Sequence, residues 1–468
     1  MSRPRRPRAA PLLVTRAKII LTLIVTAVLL VAVVIHIPGL NGPSYWQWGW
    51  RSLDGWRVYP LVLLSTAPLI FAQYLWGRSP LRVATAIGLL TITSMALELT
   101  ARAVEPSPKS GVSRVADIVM NPDATGYFMH AWEHFVRDRE SVEHFLGRYP
   151  QILPGFTMHP RIKPPGPILF YLPFLRMFPD VHEAAYVAGM VTGFLSALSV
   201  AATWLLIRTL TGNSAAAFHG ASFMALCPGF ALFFPEFDQI FPVYTMALVV
   251  LWALALQKGR YRYAIGYGLA LAFVTFQTYN LLVLGAFLAG WAVLFAWQRG
   301  RRGWIIVARQ GAAALAVCAG IYILLYLFTG FNPIVSLQVS IADQAEIAAH
   351  LHRPWPKTIP FDLLDFLLGM GWLSGLLAVF YVFEGKPPGA SGMDRHGGLV
   401  ALCVGQPVLV ALLGILPTET ARVWIFMMPL VMVLVGLELT YWSRGGRCMV
   451  YGCLAVLAAA ILQNMAFI

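Results

Sequence analysis

The sequence predicts an all-α integral membrane protein: a bundle of about thirteen transmembrane helices (about 11 to 14) with a large first outer loop carrying interfacial helices. Three observations carry this expectation. Of 468 residues, 58% are apolar and only 12% charged, against roughly 25% charged in an average soluble domain. Mean hydropathy is +0.69 over the whole chain, so too few polar side chains remain to coat a water-soluble globule, and disorder is excluded by the same balance. The basic residues lie mostly in short segments between apolar runs, which is the topology signal of membrane proteins. The net charge of +13 therefore indicates no nucleic-acid partner.

The elements follow in order. Arg3, Arg5, Arg6 and Arg8 form a basic start ahead of the apolar run 19–37, which is long enough to span and lacks a small-residue cleavage site, so it reads as an uncleaved first helix. Further spans are predicted at 58–76, 81–101, 183–207, 214–235, 240–257, 263–279, 281–298, 304–328, 361–383, 398–416, 423–442 and 448–467. The stretch 166–179 is apolar but too short to cross. The proposed inner segments hold twenty Lys and Arg residues and the short outer loops five, which places the N-terminus in the cytoplasm of a multi-pass plasma (inner) membrane protein. Three regions result: 1–80 with the basic N-terminus and two additional helices, 81–300 as a core including outer loop 102–165, and 301–468 with outer loop 330–360. The five cysteines all fall in apolar segments and suggest neither a disulfide framework nor a metal site.

Acidic residues are enriched on the outer side, and the outer segments carry the candidate chemistry. Asp123 lies in Asn121-Pro122-Asp123-Ala124-Thr125-Gly126-Tyr127, just before an amphipathic run in which Phe128, Ala131, Trp132, Phe135 and Val136 recur at helical spacing. Such a helix belongs in the membrane interface, and an aspartate at its start equally fits an N-cap. His159, Arg161 and Lys163 occupy alternate positions on a proline-stiffened segment. Extended geometry would send all three to one side and onto one phosphate, whereas snorkelling of Arg161 and Lys163 needs no specific partner. Glu419 and Arg422 share a very short outer loop, either as a local ion pair or with Arg422 beside a phosphate and Glu419 orienting it. Asp238, at another tight turn, either binds substrate hydroxyls or ends two helices.

Together these residues resemble the GT-C superfamily of polytopic, lipid-linked-sugar glycosyltransferases, in particular the protein O-mannosyltransferases and the lipid A aminoarabinose transferases. The resemblance rests on Asp123 with Tyr127 and Ala131 at successive helical turns, on Lys163-Pro164-Pro165 where the same loop ends, on Asp238 two spans later, and on Glu419, Arg422 and Trp424 before a late span. It covers 81–260 and reaches the C-terminal third only through the last motif. The chain departs from the pattern in carrying Ala124 after Asp123, in its two extra leading spans, and in having no soluble C-terminal domain.

The resemblance implies a GT-C-like bundle that moves a sugar from a polyprenyl-phosphate donor to an acceptor hydroxyl on the extracytoplasmic face, with inversion. Asp123 would be the general base. Lys163, Arg161, His159 and Arg422 would bind the donor phosphate, and Tyr127, Asp238 and Glu419 the substrates. Neither a metal nor another cofactor is implied; the partners are the lipid-linked sugar, membrane lipids and an acceptor that is a protein, lipid or glycan. The alternative is a transporter or flippase of lipid-linked sugars or cell-envelope precursors.

Overall fold

The computed structural model describes residues 12–53, 56–77, 79–105, 113–350, 354–384 and 395–466. The basic stretch 2–8, Arg78, His352, Arg353, Lys386 and Asp394 lie outside the described residues. The chain is an all-α membrane protein, with one two-residue antiparallel ladder among the described residues, pairing Gly49–Trp50 with Met465–Ala466. Among the described residues eight helices are long and apolar enough to cross a bilayer, or nine if the bent pair Ile359–Met370 and Leu373–Phe383 forms one span. That pair turns by 105° where a straight span at 361–383 is the sequence expectation.

The centre is built from two helices that are apolar on every side, the sequence signature of a helix with no solvent face. All twelve residues of Met428–Leu439 are buried, as is nearly all of Ser214–Leu232. They approach closely because Gly436 faces the backbone of Ala216 and Gly220; small residues let backbones touch where lipid gives apolar side chains no reason to associate. Around this pair stand Val181–Thr211, Phe241–Lys258, Leu373–Glu384 and Arg395–Leu412. The first helix, Leu12–Val34, is pinned to the central one by Lys18, whose Nζ lies 2.6 Å from the fully buried Glu438. Trp442 Nε1 donates to the same carboxylate at 2.8 Å.

The segment after Pro80–Val104 is a series of short helices: Arg114–Met120, Tyr127–Trp132 with a π-turn Glu133–Arg137, Val142–Gly147, Tyr149–Ile152 and Gly166–Met177. The last spans about 18 Å at 1.5 Å per residue, too little to cross. Tyr127, Phe128 and Ala131 are buried while Arg137 and Asp138 face out, as the amphipathic reading expects. Val136, expected on the apolar face, is instead 40% exposed, because the chain winds there as the π-turn and leaves the 3.6-residue spacing.

Gly436→Ala places a methyl group against the Ala216 carbonyl, so the central helices must separate. The expected cost is about 1–3 kcal/mol, read as a lower melting temperature of the detergent-purified protein.

Candidate functional site

Five stretches that are remote in sequence, Asn280 being one of them, meet at one end of the bundle around a cleft of about 560 Å³, its open mouth included. His159 and Lys163 line it from the first loop, Asp238 from the 233–240 turn, Gln344 from the helix Pro333–His350, and Thr418, Glu419 and Arg422 from the loop before the central helix.

The segment carrying His159 and Lys163 is not extended. Pro160–Ile162 is a turn of 3-10 helix, favoured by proline at its first position, and it breaks the alternation on which a three-cation site depends. His159 and Lys163 line the cleft, but Arg161 turns away and pairs with Asp343 (3.0 Å) and Glu346 (2.7 Å) on Pro333–His350. Arg161 thus fastens that helix over the loop and is not among the cleft-lining residues. Lys163 is 4% exposed, with Nζ 5.6 Å from the centre of the Phe241 ring, while its carbonyl accepts from the Tyr149 hydroxyl at 2.8 Å. Burial holds its ammonium down to about 8; Asp238 acts to raise it and Arg422 to lower it. A buried ammonium differs from a snorkelling lysine, which keeps its charged head in water.

Arg422 is buried between two acids. Its Nη1 reaches both oxygens of Glu236 (3.1 and 2.9 Å), and its Nη2 lies 2.5 Å from Glu419. Burial opposes the charge, but Glu236, Glu419 and Asp238 outweigh it and hold the guanidinium well above its usual range. Glu236 is 2% exposed and sits on the same turn as Asp238. That turn is anchored by buried Arg102, which donates to the carbonyls of Leu232 (2.8 Å) and Ala231 (3.3 Å). One oxygen of Asp238, Oδ1, is buried without a hydrogen-bond partner.

The loop that presents Glu419 is strained. Leu416, Thr418 and Glu419 have φ of +54°, +68° and +50°, a region that costs a residue with a Cβ about 1–2 kcal/mol. Two buried carboxylates on Ile359–Met370 offset this. Asp362 accepts from the Thr418 N–H at 2.8 Å. Asp365 accepts from the Ala421 N–H (2.8 Å) and from Trp48 Nε1 (2.7 Å). Trp424 adds a bond from its indole N–H to the Leu416 carbonyl at 2.9 Å.

Asp123 lies in the neighbouring turn. The helix begins at Tyr127 with Gly126 as N-cap, so Asp123, three residues earlier, is not the cap. Its N–H donates to Asn121 Oδ1 at 2.9 Å, its side chain is exposed, and it is not among the cleft-lining residues. The turn leans on the cation-bearing segment: Gly126 is left-handed (φ +71°), and a Cβ there would strike Thr157 Oγ1 and crowd Pro160, the residue after His159. His130 ties the two segments further. The Thr157 N–H donates to its Nε2 at 3.1 Å, so Nδ1 holds the proton that faces Glu133, also at 3.1 Å. Tyr127 is buried, edge-on to Phe237 with ring centres 5.9 Å apart. Burial, then the charge of Asp238, lifts its phenol well above the ordinary value.

The structure therefore joins His159, Lys163, Asp238, Glu419 and Arg422 in one cleft, seats Tyr127 close enough to feel Asp238 and Arg422, and leaves Arg161 and Asp123 outside the lining. Glu236, Arg102, Asp362 and Asp365 are additions to the sequence reading. Among the described residues no three His, Cys, Asp or Glu side chains are grouped to hold a metal ion. No family model matches the chain, and no curated protein matches it either.

Asp365→Ala strands the Ala421 N–H and the Trp48 indole N–H in a buried setting, at about 1–3 kcal/mol for each donor left unpaired. The expected result is a lower melting temperature together with new trypsin cleavage after Arg422; a loop as protected as in the wild type would overturn the anchoring role.

Proposed function

We propose that the protein is a membrane glycosyltransferase that moves a sugar from a polyprenyl-phosphate donor to an acceptor hydroxyl at the extracytoplasmic face of the plasma membrane. The observation that carries this reading is the convergence of Lys163 and Arg422, 259 positions apart in sequence, with Asp238 and Glu419 in one cleft at the end of a lipid-embedded bundle.

Helix order supports the placement. Gly285–Thr329 divides at Gly300, which is non-helical. Counting its two halves, the 17-residue Tyr261–Gln277, the bent pair and the two shorter apolar helices with the rest gives about thirteen crossings of a GT-C-like bundle. With a cytoplasmic N-terminus, the connections after crossings three, five, seven, nine and eleven then share the outer side, and these bear Lys163, Asp238, Asn280, Gln344 and Arg422, all cleft residues.

In the reaction the acceptor oxygen attacks the anomeric carbon, the bond from that carbon to the phosphate oxygen breaks, and the lipid phosphate leaves with the electron pair. Lys163 and Arg422 stabilise the charge gathering on it. In the resting state Asp238 and Glu419 line the cleft beside those two cations, and Glu236, outside the lining, holds Arg422. Glu236 grips Arg422 with both oxygens, whereas Glu419 holds one edge from a partly exposed position. The arriving phosphate therefore takes the edge that Glu419 occupies, and the displaced carboxylate is free to meet sugar hydroxyls. Asp123, in the exposed turn that packs against the cation-bearing segment, takes the proton of the acceptor hydroxyl, an assistance of about 10²–10⁴-fold. A second reading gives that role to Asp238, because its buried Oδ1 has no partner and it lies in the cleft itself. The flippase alternative requires a polar route between the two ends of the bundle. The central helix Met428–Leu439 has no polar side chain before Glu438, so such a route would have to follow Pro80–Val104 and Val181–Thr211, where Glu98 and Ser196 are buried.

Membranes lacking the protein should accumulate a polyprenyl-phosphate sugar and lack one glycan, and Asp123→Asn should fail to restore it while remaining folded. Restoration by Asp123→Asn but not by Asp238→Asn would move the base to Asp238. Donor consumption in neither wild-type membranes nor proteoliposomes, with lipid-linked sugar merely crossing the bilayer, would establish the flippase.

Lys163 is cationic below about pH 8 and loses its proton above it. The expected kcat/KM for donor, which reports the free enzyme, is level below that pH and falls as pH rises through it. Lys163→Arg should remove the fall if it retains activity; a wild-type profile flat to pH 10 would refute the charge requirement.

A further inference from the structure

A second cavity lies at the opposite end of the same helices. The central helix starts just after Arg422 and ends at Leu439, and the residue that follows, Thr440, lines this cavity; Ser214–Met224 starts here, at Ala215 and His219, and runs toward the cleft end. The space is about 810 Å³, open mouth included, and its remaining lining is Gln73, Tyr74, Trp76, Arg444 and Arg447.

Its electrostatics differ from those of the cleft. Among the described residues two guanidiniums line it and no carboxylate does. The nearest acid along the chain, Glu438, is engaged by Lys18 and Trp442. Arg447 is fixed by donating from Nη1 to the carbonyls of Trp442 (2.8 Å) and Leu439 (3.3 Å), whereas Arg444 makes no ion pair with a described residue. The floor is fixed as well: His219 Nδ1 lies 3.1 Å from the Tyr451 hydroxyl, and Gln73 Nε2 donates to Ser222 at 3.0 Å. Trp76 stacks on Phe218 with ring centres 4.1 Å apart, so the aromatic wall is rigid. Beside Tyr74 the same helix turns Ile70 and Phe71 outward, 65% and 63% exposed.

We propose that this cavity is a binding site for the phosphate of an anionic membrane lipid, held by Arg444 and Arg447 at head-group depth while the acyl chains lie along Ile70 and Phe71. Aromatic side chains such as Trp76 and Tyr74 prefer that depth, and the apolar strip leading out of a cationic pocket suits a lipid rather than a free anion. The site is independent of the chemistry assigned to the cleft, and on the helix order given above it faces the cytoplasm.

The test uses the full-length protein in nanodiscs of phosphatidylcholine with one-tenth phosphatidylglycerol, followed by native mass spectrometry of the lipid that stays bound. Wild type should retain phosphatidylglycerol in preference to phosphatidylcholine. Arg444→Ala should weaken that preference by about five-fold, the amount one surface cation contributes to anionic-lipid attraction, without changing the melting temperature in pure phosphatidylcholine. Arg444→Glu should abolish it. No preference in the wild type, or an undiminished one in both variants, would overturn the proposal. Displacement of the lipid by millimolar inorganic phosphate would overturn the lipid assignment in favour of a free anion.

Discussion

A guanidinium taken out of water has to be paired, and the pairing of Arg422 organises this molecule. Glu236 and Glu419 bind it from two loops whose positions differ by 183 residues. Removing one partner of such a buried pair costs about 3–5 kcal/mol, because the survivor keeps its desolvation penalty. The contact therefore fixes the 233–240 turn against the 416–424 loop. Once these are fixed, Asp238 has to lie across from Lys163, and the cleft has its shape.

The anchors behind this pair are equally polar and equally buried. Asp362 and Asp365 hold a loop in which three residues with side chains adopt left-handed backbone angles, and Arg102 caps the carbonyls from which the Glu236 turn departs. Strain of this kind persists where surrounding structure over-determines it and it gathers at functional sites. Here it aims Glu419 and Arg422 into one space. The second cavity is the converse case: among the described residues its lining holds two guanidiniums and no carboxylate.

The sequence was legible where one residue type in one place has few uses. Charged residues in outer loops of so apolar a chain singled out Lys163, Asp238, Glu419 and Arg422, and these do share the cleft. Arg161 was misread because alternate spacing matters only in extended chain, and Pro160 starts a 3-10 turn instead. Asp123 was not separable from an N-cap by spacing; the left-handed Gly126 takes that position. Glu236 was hidden beside Asp238, although a second acid at a tight turn was the available signal. Asp362 and Asp365, two acids three apart in an otherwise apolar helix, carried a similar signal, since carboxylates inside such a helix need donors to face.

What the sequence determined by itself is the solvent in which the chain folds and the helices that solvent demands. Hydropathy and backbone hydrogen bonding are local quantities, summed over twenty residues at a time, and no partner is needed to read them. Which cation meets which carboxylate was decided only in three dimensions. An ion pair is a relation between side chains that can stand hundreds of residues apart, and the angle of a turn or the bend of a broken helix determines whether they touch.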